Sequence, residues 1–181
     1  ALQRRCAENY VRRTVPPRAA LAGKRHTHDR IRLAYLSADF HQHPTAQLLA
    51  ELFERHDRTR FEVTAVSFGP DDGSPLRARL KKAFDHFEDV RGRSDADVAG
   101  WLAARETDIA VDLNGHTHGA RTGIFAHRPA PVQVNYLVYP GTMGAPFIDY
   151  ILADRIVLPL DQQAFCSEKI VHLPDCYPAN D

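Results

Sequence analysis

Short apolar runs alternate with amphipathic segments along most of the chain. Runs suited to buried strands occur at 31–37, 61–68, 108–114, 132–138, 150–154 and 169–174, and HFEDV (86–90) is a shorter strand candidate. Between them, segments such as TAQLLAELFERHD place leucine and phenylalanine at helical spacing. Strands that alternate with helices form right-handed βαβ units. The pattern therefore predicts an α/β fold with a Rossmann-like, doubly wound parallel sheet, covered by helices on both faces.

Three of the predicted helices carry start signals. Pro44 fits the first turn of the helix that follows the 31–37 strand. Ser74 stands at an N-cap position directly before Pro75, and Ser94 with Asp97 resembles a capping box. Each signal lies between two strand candidates, which supports the alternating pattern.

Residues 1–29 differ from the rest of the chain. ALQRRCAENYVRR predicts one helix, and TVPPRAALAGKRHTHDR is typical of a linker rich in proline, glycine and charge. A single helix next to such a linker has nothing to pack on. We therefore expect residues 1–29 to be the tail of a preceding helical region, and residues 30–181 to form one domain.

Composition narrows the class of protein. A chain of 181 residues suits one domain, and Lys+Arg and Asp+Glu are balanced at 23 each. Phosphate-rich partners select a basic face, so we expect no nucleic-acid partner and no membrane surface. Three scattered cysteines without a CxxC spacing exclude a disulfide scaffold and a zinc cluster. No apolar run approaches the roughly 20 residues that span a bilayer, and no signal peptide is visible, so we expect a cytoplasmic protein.

Candidate chemistry lies in the segments that come after three of the strands. Ligands of open parallel sheets bind beyond the carboxyl ends of the strands, near the point where strand order reverses. The segments ADFHQHPT (38–45), GHTHGAR (115–121) and YPGTMGAP (139–146) occupy such positions and are rich in His, Thr, Gly and Tyr. Neither GxGxxG nor GxxxxGK[ST] occurs, which argues against a dinucleotide fingerprint or a P-loop.

His43 has a specific setting before Pro44. A residue before proline is driven to an extended conformation, so His43 stands at the start of the predicted helix. The partial positive charge of the helix N-terminus favours the neutral imidazole, which can accept a proton or hydrogen-bond a substrate hydroxyl. Thr45, in the same first turn, can donate to an anionic or sugar group. The alternative is that His43 only caps the helix.

Six of the ten histidines form His-x-His pairs, namely His26/His28, His41/His43 and His116/His118. In a regular strand such a pair would direct both rings to one metal ion. However, Pro44 ends strand geometry after the second pair, no Cys or Glu is suitably placed in the sequence, and the first pair lies in the predicted linker. We therefore expect no metal site and regard His41 as a neighbour of His43 or a surface residue.

Four ordered blocks carry a family resemblance. IRLAYLSADFHQHPT, SFGPDDGSPLR, VDLNGHTHGAR and HRPAPVQVNYLVYPGTMGAPFIDYILAD closely resemble the catalytic region of the O-linked N-acetylglucosamine transferases and their SPINDLY relatives, from about residue 30 to 175. The resemblance implies the first lobe of a GT-B glycosyltransferase, whose active site lies in the cleft between two Rossmann-like lobes. It also implies a preceding tetratricopeptide-repeat region and a second, nucleotide-binding lobe outside this sequence.

The implied activity is inverting transfer of N-acetylglucosamine from UDP-GlcNAc to Ser or Thr hydroxyls of proteins, without a metal or other cofactor. By its match to the HPT motif, His43 would be the active-site histidine, acting as the base or as a group that orients the sugar. The resemblance further implies that the cleft is lined by Pro44, Thr45, Asn114, Gly115, His116, Tyr139, Pro140, Gly141 and Thr142.

Departures from the family pattern keep alternatives open. Val138 and Met143 stand where the family usually has Gly and Ser, and His116 and His118 stand where animal members differ. The alternatives are a SPINDLY-type protein O-fucosyltransferase that uses GDP-fucose, an inactive scaffold relative, and a metallohydrolase built on the histidine pairs.

Overall fold

The computed structural model describes residues 2–21 and 26–181. Six strands of the sheet are expected from the longer apolar runs and one from HFEDV, and all seven form. In chain order the elements are α1 (Leu2–Thr14), β1 (Ile31–Ser37), α2 (Pro44–Glu54), β2 (Phe61–Ser67), α3 (Pro75–Ala83), β3 (His86–Asp89), α4 (Asp95–Ala104), β4 (Ile109–Asp112), α5 (Thr122–Ala126), β5 (Val132–Tyr136), β6 (Tyr150–Ala153), a 3₁₀ helix (Leu160–Phe165) and β7 (Lys169–His172).

The strands form one sheet in the order β3-β2-β1-β4-β5-β6-β7. Every pairing between neighbours is parallel. The chain builds outward from β1 to β3 and then crosses to β4, so the order reverses between β1 and β4. This arrangement confirms the predicted Rossmann-like, doubly wound sheet and places its switch point at the ends of β1 and β4.

Strand β1 shows why the apolar runs are continuous. Leu33 and Tyr35 pack with α2 and α3 on one face, in the cluster that contains Leu49, Phe53 and Leu80. Ala34 and Leu36 pack on the other face with α4, α5 and α1, in the cluster that contains Val98, Leu102, Ile124 and Val11. A strand covered on both faces has no polar side, and its sequence is therefore apolar without alternation.

The helix starts form as the sequence predicts. His43 is the N-cap of α2 and Pro44 its first residue. The Ser74 hydroxyl accepts a hydrogen bond from Arg77 N at the start of α3. Ser94 and Asp97 form the reciprocal capping box of α4.

Helix α1 corrects the prediction that it would have nothing to pack on. Ala7 and Val11 are buried, and Arg4 donates to the carbonyl oxygens of residues 164 and 166. A Cβ at Gly144 would lie 2.4 Å from Glu8 N, so the helix backbone rests on the loop after β5. The apolar face is only two small residues, and its partners lie far along the chain, so no local pattern indicates this contact. Membership of a preceding repeat array stays a prediction.

The predicted linker comes after α1. Residues 15–21 and 26–30 contain no helix or strand, and residues 22–25 lie outside the described residues. Among the helices in the described ranges, none combines the length and apolar character needed to cross a bilayer.

Gly69 provides a test of the packing at the switch point. A Cβ at this position would lie 1.6 Å from the carbonyl oxygen of Ala38, in the loop that leads to His43. We expect Gly69→Ala to lower the free energy of unfolding by about 1–3 kcal/mol, measured by urea denaturation.

The control is Gly100→Ala in α4, where no atom lies within 4 Å of the new Cβ. This change is expected to be neutral or to stabilise by up to about 1 kcal/mol. Equal stability of the two variants would contradict the packing described.

Candidate active site

Three loops meet at the carboxyl edge of the sheet, after β1, β4 and β5. We call this edge, with residues 38–45, 115–121 and 139–146, the rim. Asn114, after β4, accepts a hydrogen bond from Ala38 N at 2.8 Å and donates to Asp39 Oδ2 at 2.9 Å, both after β1. His116 Nε2 lies 2.8 Å from the carbonyl oxygen of Met143, after β5. The structure therefore brings together the three segments that the sequence singled out.

His43 adopts the extended conformation expected before proline, with φ −141° and ψ 145°. Its Nδ1 accepts a hydrogen bond from Thr45 N at 3.3 Å and lies 3.1 Å from the Thr45 hydroxyl. Asp39 Oδ2 lies 3.8 Å from the same nitrogen. The ring thus caps α2 through Nδ1, and its side chain is still 37% exposed.

This cap determines the tautomer of the neutral ring. A backbone N–H can only donate, so Nδ1 of His43 must offer its lone pair to Thr45 N. The proton of the neutral imidazole therefore lies on Nε2. That atom has no hydrogen-bond partner within residues 2–21 and 26–181, so the half-buried ring of His43 offers a free N–H donor.

Pro44 and Thr45 have different roles. Pro44 is exposed at the first position of α2 and can contact a ligand. Thr45 is only 6% exposed, and its hydroxyl faces the His43 ring. The structure thus places Thr45 as a support of the histidine.

The turn between β2 and α3, residues 68–74, holds the His43 loop. Asp72 Oδ2 accepts a hydrogen bond from Gln42 N at 2.8 Å. Bonds from the backbone N–H groups of Gln42 and Ser74 lower the pKa of Asp72 to about 2. Arg77, 1% exposed, donates to the Phe40 carbonyl at 2.7 Å. The signal available in the sequence is a pair of aspartates in the short segment between β2 and α3, at the sheet edge that carries His43.

Asn114 and Gly115 shape the loop after β4. Asn114 is completely buried, and Gly115 has φ +57°. A Cβ at Gly115 would lie 2.5 Å from the Cβ of Tyr139, so only glycine fits. Asp112 Oδ1 accepts hydrogen bonds from the backbone N–H groups of both residues, at 2.9 and 3.0 Å. Both residues shape the loop, and their implied place in the lining of the cleft stays a prediction.

The loop after β5 turns its threonine inward. The Thr142 hydroxyl is 2% exposed and donates to Glu168 Oε2 at 2.7 Å. Glu168 is fully buried and also accepts from Met143 N. The hydroxyl of Thr142 is therefore engaged by a buried carboxylate, and the implied place of Thr142 in the cleft stays a prediction. Glu168 carries no recognisable sequence signal, because it is a single charged residue in the stretch before β7.

The other residues of this loop divide between surface and interior. Pro140 is exposed and Tyr139 is half-buried, whereas Gly141 is buried. Asn135 Nδ2 donates to the carbonyl oxygens of Tyr139 and Gly141 at 3.2 and 3.3 Å. Tyr139 and Pro140 are thus the members of the predicted set that remain available on this loop.

A cavity of about 910 Å³ opens beside the rim. One wall is α1, and the opposite wall is the 115–121 loop with the start of α5. His116 stands edge-on between Tyr10 and Tyr139, with ring centroids 5.2 and 5.3 Å apart. Arg121 also lines the cavity and pairs with Asp95 at 2.7 Å. Imidazole, phenol and guanidinium groups give this cavity many hydrogen-bond donors.

The histidine pairs at the rim form no group of three metal-ligating side chains among the described residues. The rings of His41 and His43 are 5.5 Å apart and tilted by 58°. His116 is bonded to a backbone carbonyl, whereas His118 is exposed. The described residues at this edge therefore do not converge on a metal ion.

The fold and the rim define a Rossmann-like, ligand-binding α/β domain. The sequence model of the family described as "Glycosyl transferase family 41" matches residues 11–181, and the chain belongs to this family. The resemblance noted from the four sequence blocks is thereby confirmed.

Named relatives agree with this assignment. The chain is 41% identical over 152 residues to the probable UDP-N-acetylglucosamine–peptide N-acetylglucosaminyltransferase SEC of Arabidopsis thaliana, covering 84% of this chain and 16% of that protein. It is 38% identical over 149 residues to the UDP-N-acetylglucosamine–peptide N-acetylglucosaminyltransferase of Caenorhabditis elegans, covering 82% and 13%. A solved mutant O-GlcNAc transferase of Thermobaculum terrenum superimposes with a TM-score of 0.89 at 32% identity, covering 97% and 34%. The chain thus spans about a third or less of each.

Asp112 predicts a pH dependence of stability. Burial raises the pKa of this carboxyl above its ordinary 3.8, and its Oδ2 has no partner among the described residues. The folded carboxyl holds its proton more tightly than the unfolded one, so stability falls as pH rises from about 4 through the raised pKa. The melting temperature of Asp112→Asn should therefore increase relative to that of the original protein as the pH rises from about 4 to about 7.

Asp57→Asn is a control in which the pKa of the replaced carboxyl is shifted in the opposite direction. Hydrogen bonds from Thr59 lower the pKa of Asp57, so its contribution to stability is present above the ordinary pKa and lost in acid. Between about pH 4 and pH 7 the stability deficit of this variant should therefore stay nearly constant, and it should shrink only as the pH falls below about 4. Parallel trends in the two variants would contradict the assignment.

Proposed function

We propose that this chain is the first catalytic lobe of a GT-B protein O-GlcNAc transferase. The enzyme transfers N-acetylglucosamine from UDP-GlcNAc to Ser or Thr hydroxyls, with inversion at the anomeric carbon. Membership of glycosyl transferase family 41 and the names of the relatives support the reaction class. The observation that carries the proposal is the ring of His43, which is held as the N-cap of α2 directly after β1 and whose Nε2 has no hydrogen-bond partner among the described residues.

His43 orients a substrate oxygen and does not remove its proton. The Nδ1 lone pair is engaged by Thr45 N, so the exposed nitrogen is a donor. A donor held at this position can align the acceptor hydroxyl or a sugar oxygen for attack on the anomeric carbon. The diphosphate leaves from the opposite side and is neutralised by the second lobe. No metal or cofactor takes part in this step.

The acceptor protein enters through the cavity between α1 and the 115–121 loop. His116 and Tyr139 line it and offer hydrogen-bonding groups to a peptide. Helix α1 forms one wall, so a repeat array that continues α1 would stand next to the acceptor. The proposal also includes a second catalytic lobe and a repeat region in the whole protein, and a location in the cytoplasm.

Substitutions at His43 distinguish orientation from base catalysis. In the intact enzyme, His43→Ala should lower kcat by about 10²-fold or more while UDP binding changes little. His43→Gln carries an amide N–H close to the former Nε2 but cannot act as a base, and it should retain more activity than the alanine variant. His43→Asn is the matched control, because its side-chain oxygen can cap α2 while its amide falls short of the rim. A glutamine variant as inactive as the alanine variant would indicate a base, and near-normal kcat in His43→Ala would remove His43 from the site.

The donor sugar is tested with the full-length protein. Incubation with an acceptor peptide and either UDP-GlcNAc or GDP-fucose should give a mass increase of the peptide with UDP-GlcNAc. Transfer of fucose alone would replace the proposal by the SPINDLY-type alternative. Nucleotide binding without transfer from either donor would favour the inactive scaffold.

A further inference from the structure

A cluster of metal-ligating side chains lies at the opposite edge of the sheet, away from the rim. His26 and His28 precede β1, and Glu106 lies between α4 and β4. His26 Nδ1 lies 3.7 Å from Glu106 Oε1, and His28 Nε2 lies 3.7 Å from Glu106 Oε2. The amino ends of parallel strands meet at this edge, so residues distant in sequence become neighbours.

The distances fit one small cation. The three ligand atoms lie within 4.8 Å of one another. Around a tetrahedral zinc ion with bonds near 2.0–2.1 Å, ligand atoms are separated by about 3.3 Å. Shifts of a few tenths of an ångström to about one ångström would therefore bring the three groups to coordination distance.

The side chains also face one another. His26 and His28 are alternate residues of a chain segment without helix, and their rings are stacked 5.5 Å apart at 20°. Their side chains are 21% and 14% exposed, against 52% for Glu106. Glu106 has φ 52°, a left-handed conformation that glycine usually occupies at a helix end. The sequence thus places a carboxylate where a residue without a side chain would fit with less strain.

Two contacts compete with a cation here. His28 Nε2 lies 3.3 Å from the backbone carbonyl oxygen of Glu106, a contact that a ligand nitrogen would have to give up. Arg32 Nη1 lies 3.3 Å from Glu106 Oε2 and 2.8 Å from the Arg105 carbonyl. Glu106 Oε1, which faces His26, is outside this contact. A bound ion would therefore use Oε1 or displace the Arg32 contact, which limits its affinity.

We propose that His26, His28 and Glu106 bind a divalent transition-metal ion of the Zn²⁺ class. Two imidazoles and one carboxylate suit Zn²⁺ better than Mg²⁺ or Ca²⁺, and water completes the coordination. The ion fastens the segment after α1 to the sheet and plays no part in sugar transfer. This inference does not depend on the proposed function, and it revises the expectation that no glutamate is placed near the histidine pairs.

The first test is a zinc titration of the intact protein, stripped with a chelator and purified without a histidine tag. Competition with a chromophoric chelator should show that the original protein binds one equivalent of zinc. His28→Ala should lower the zinc affinity of this site by at least about 100-fold. His86→Ala is the matched control, because His86 pairs with Glu62 at 3.2 Å and forms no three-ligand group among the described residues. Equal zinc binding by the original protein and His28→Ala, or binding only at millimolar zinc, would overturn the proposal.

Glu106→Gly separates metal binding from general damage to the fold. Glycine relieves the positive φ, so the metal-free variant should have a melting temperature equal to or above that of the original protein. Zinc should raise the melting temperature of the original protein and of His86→Ala, and should leave that of Glu106→Gly unchanged. The same zinc-induced rise in Glu106→Gly would show that the carboxylate is not a ligand and would refute the site.

Discussion

The buried amide of Asn114 is the interaction on which the site depends. It lies where β1 and β4 separate, and it bonds both the Ala38 N–H and the Asp39 carboxylate. Loops at a switch point diverge from the sheet and lose the hydrogen bonds of the strands. Without the amide, buried polar groups of both loops would lack partners, at a cost of about 1–3 kcal/mol each. This one side chain therefore holds the loops after β1 and β4 at a fixed separation. It also fixes the start of the segment that carries His43.

Buried charged groups on either side complete this arrangement. Arg77 connects the Phe40 carbonyl to α3, and Glu168 connects Thr142 and Met143 to the start of β7. Charge-assisted hydrogen bonds in a buried setting hold irregular backbone that has no strand partner. The Thr142 hydroxyl is engaged in this way. The side chains of His43, His116 and Tyr139 are only partly buried and that of His118 is exposed, so these groups stay accessible on the three loops.

Much of the fold could be predicted from local pattern. Strand β1 has the predicted bounds, and the other strands end one or two residues earlier than their apolar runs. Leu113 and Leu137 explain the difference, because both are buried in loops after the pairing has ended. An apolar run indicates which residues are buried, and burial continues past the last residue that is paired in the sheet. Helix α5 and the 3₁₀ helix were not predicted, since five or six residues are too few to establish a helical period.

The sequence by itself determined the parallel sheet, the capped helix starts and the place of His43, because periodicity and the restriction before proline act over a few neighbouring residues. Only the tertiary structure decided which loop residues face inward, that α1 packs on the domain, and that Glu106 meets His26 and His28. Those outcomes depend on groups far apart along the chain that the sheet brings to a common edge. A hydrogen bond such as that between Thr142 and Glu168 leaves no periodic trace in the sequence, and so the direction of each site side chain became visible only in the folded protein.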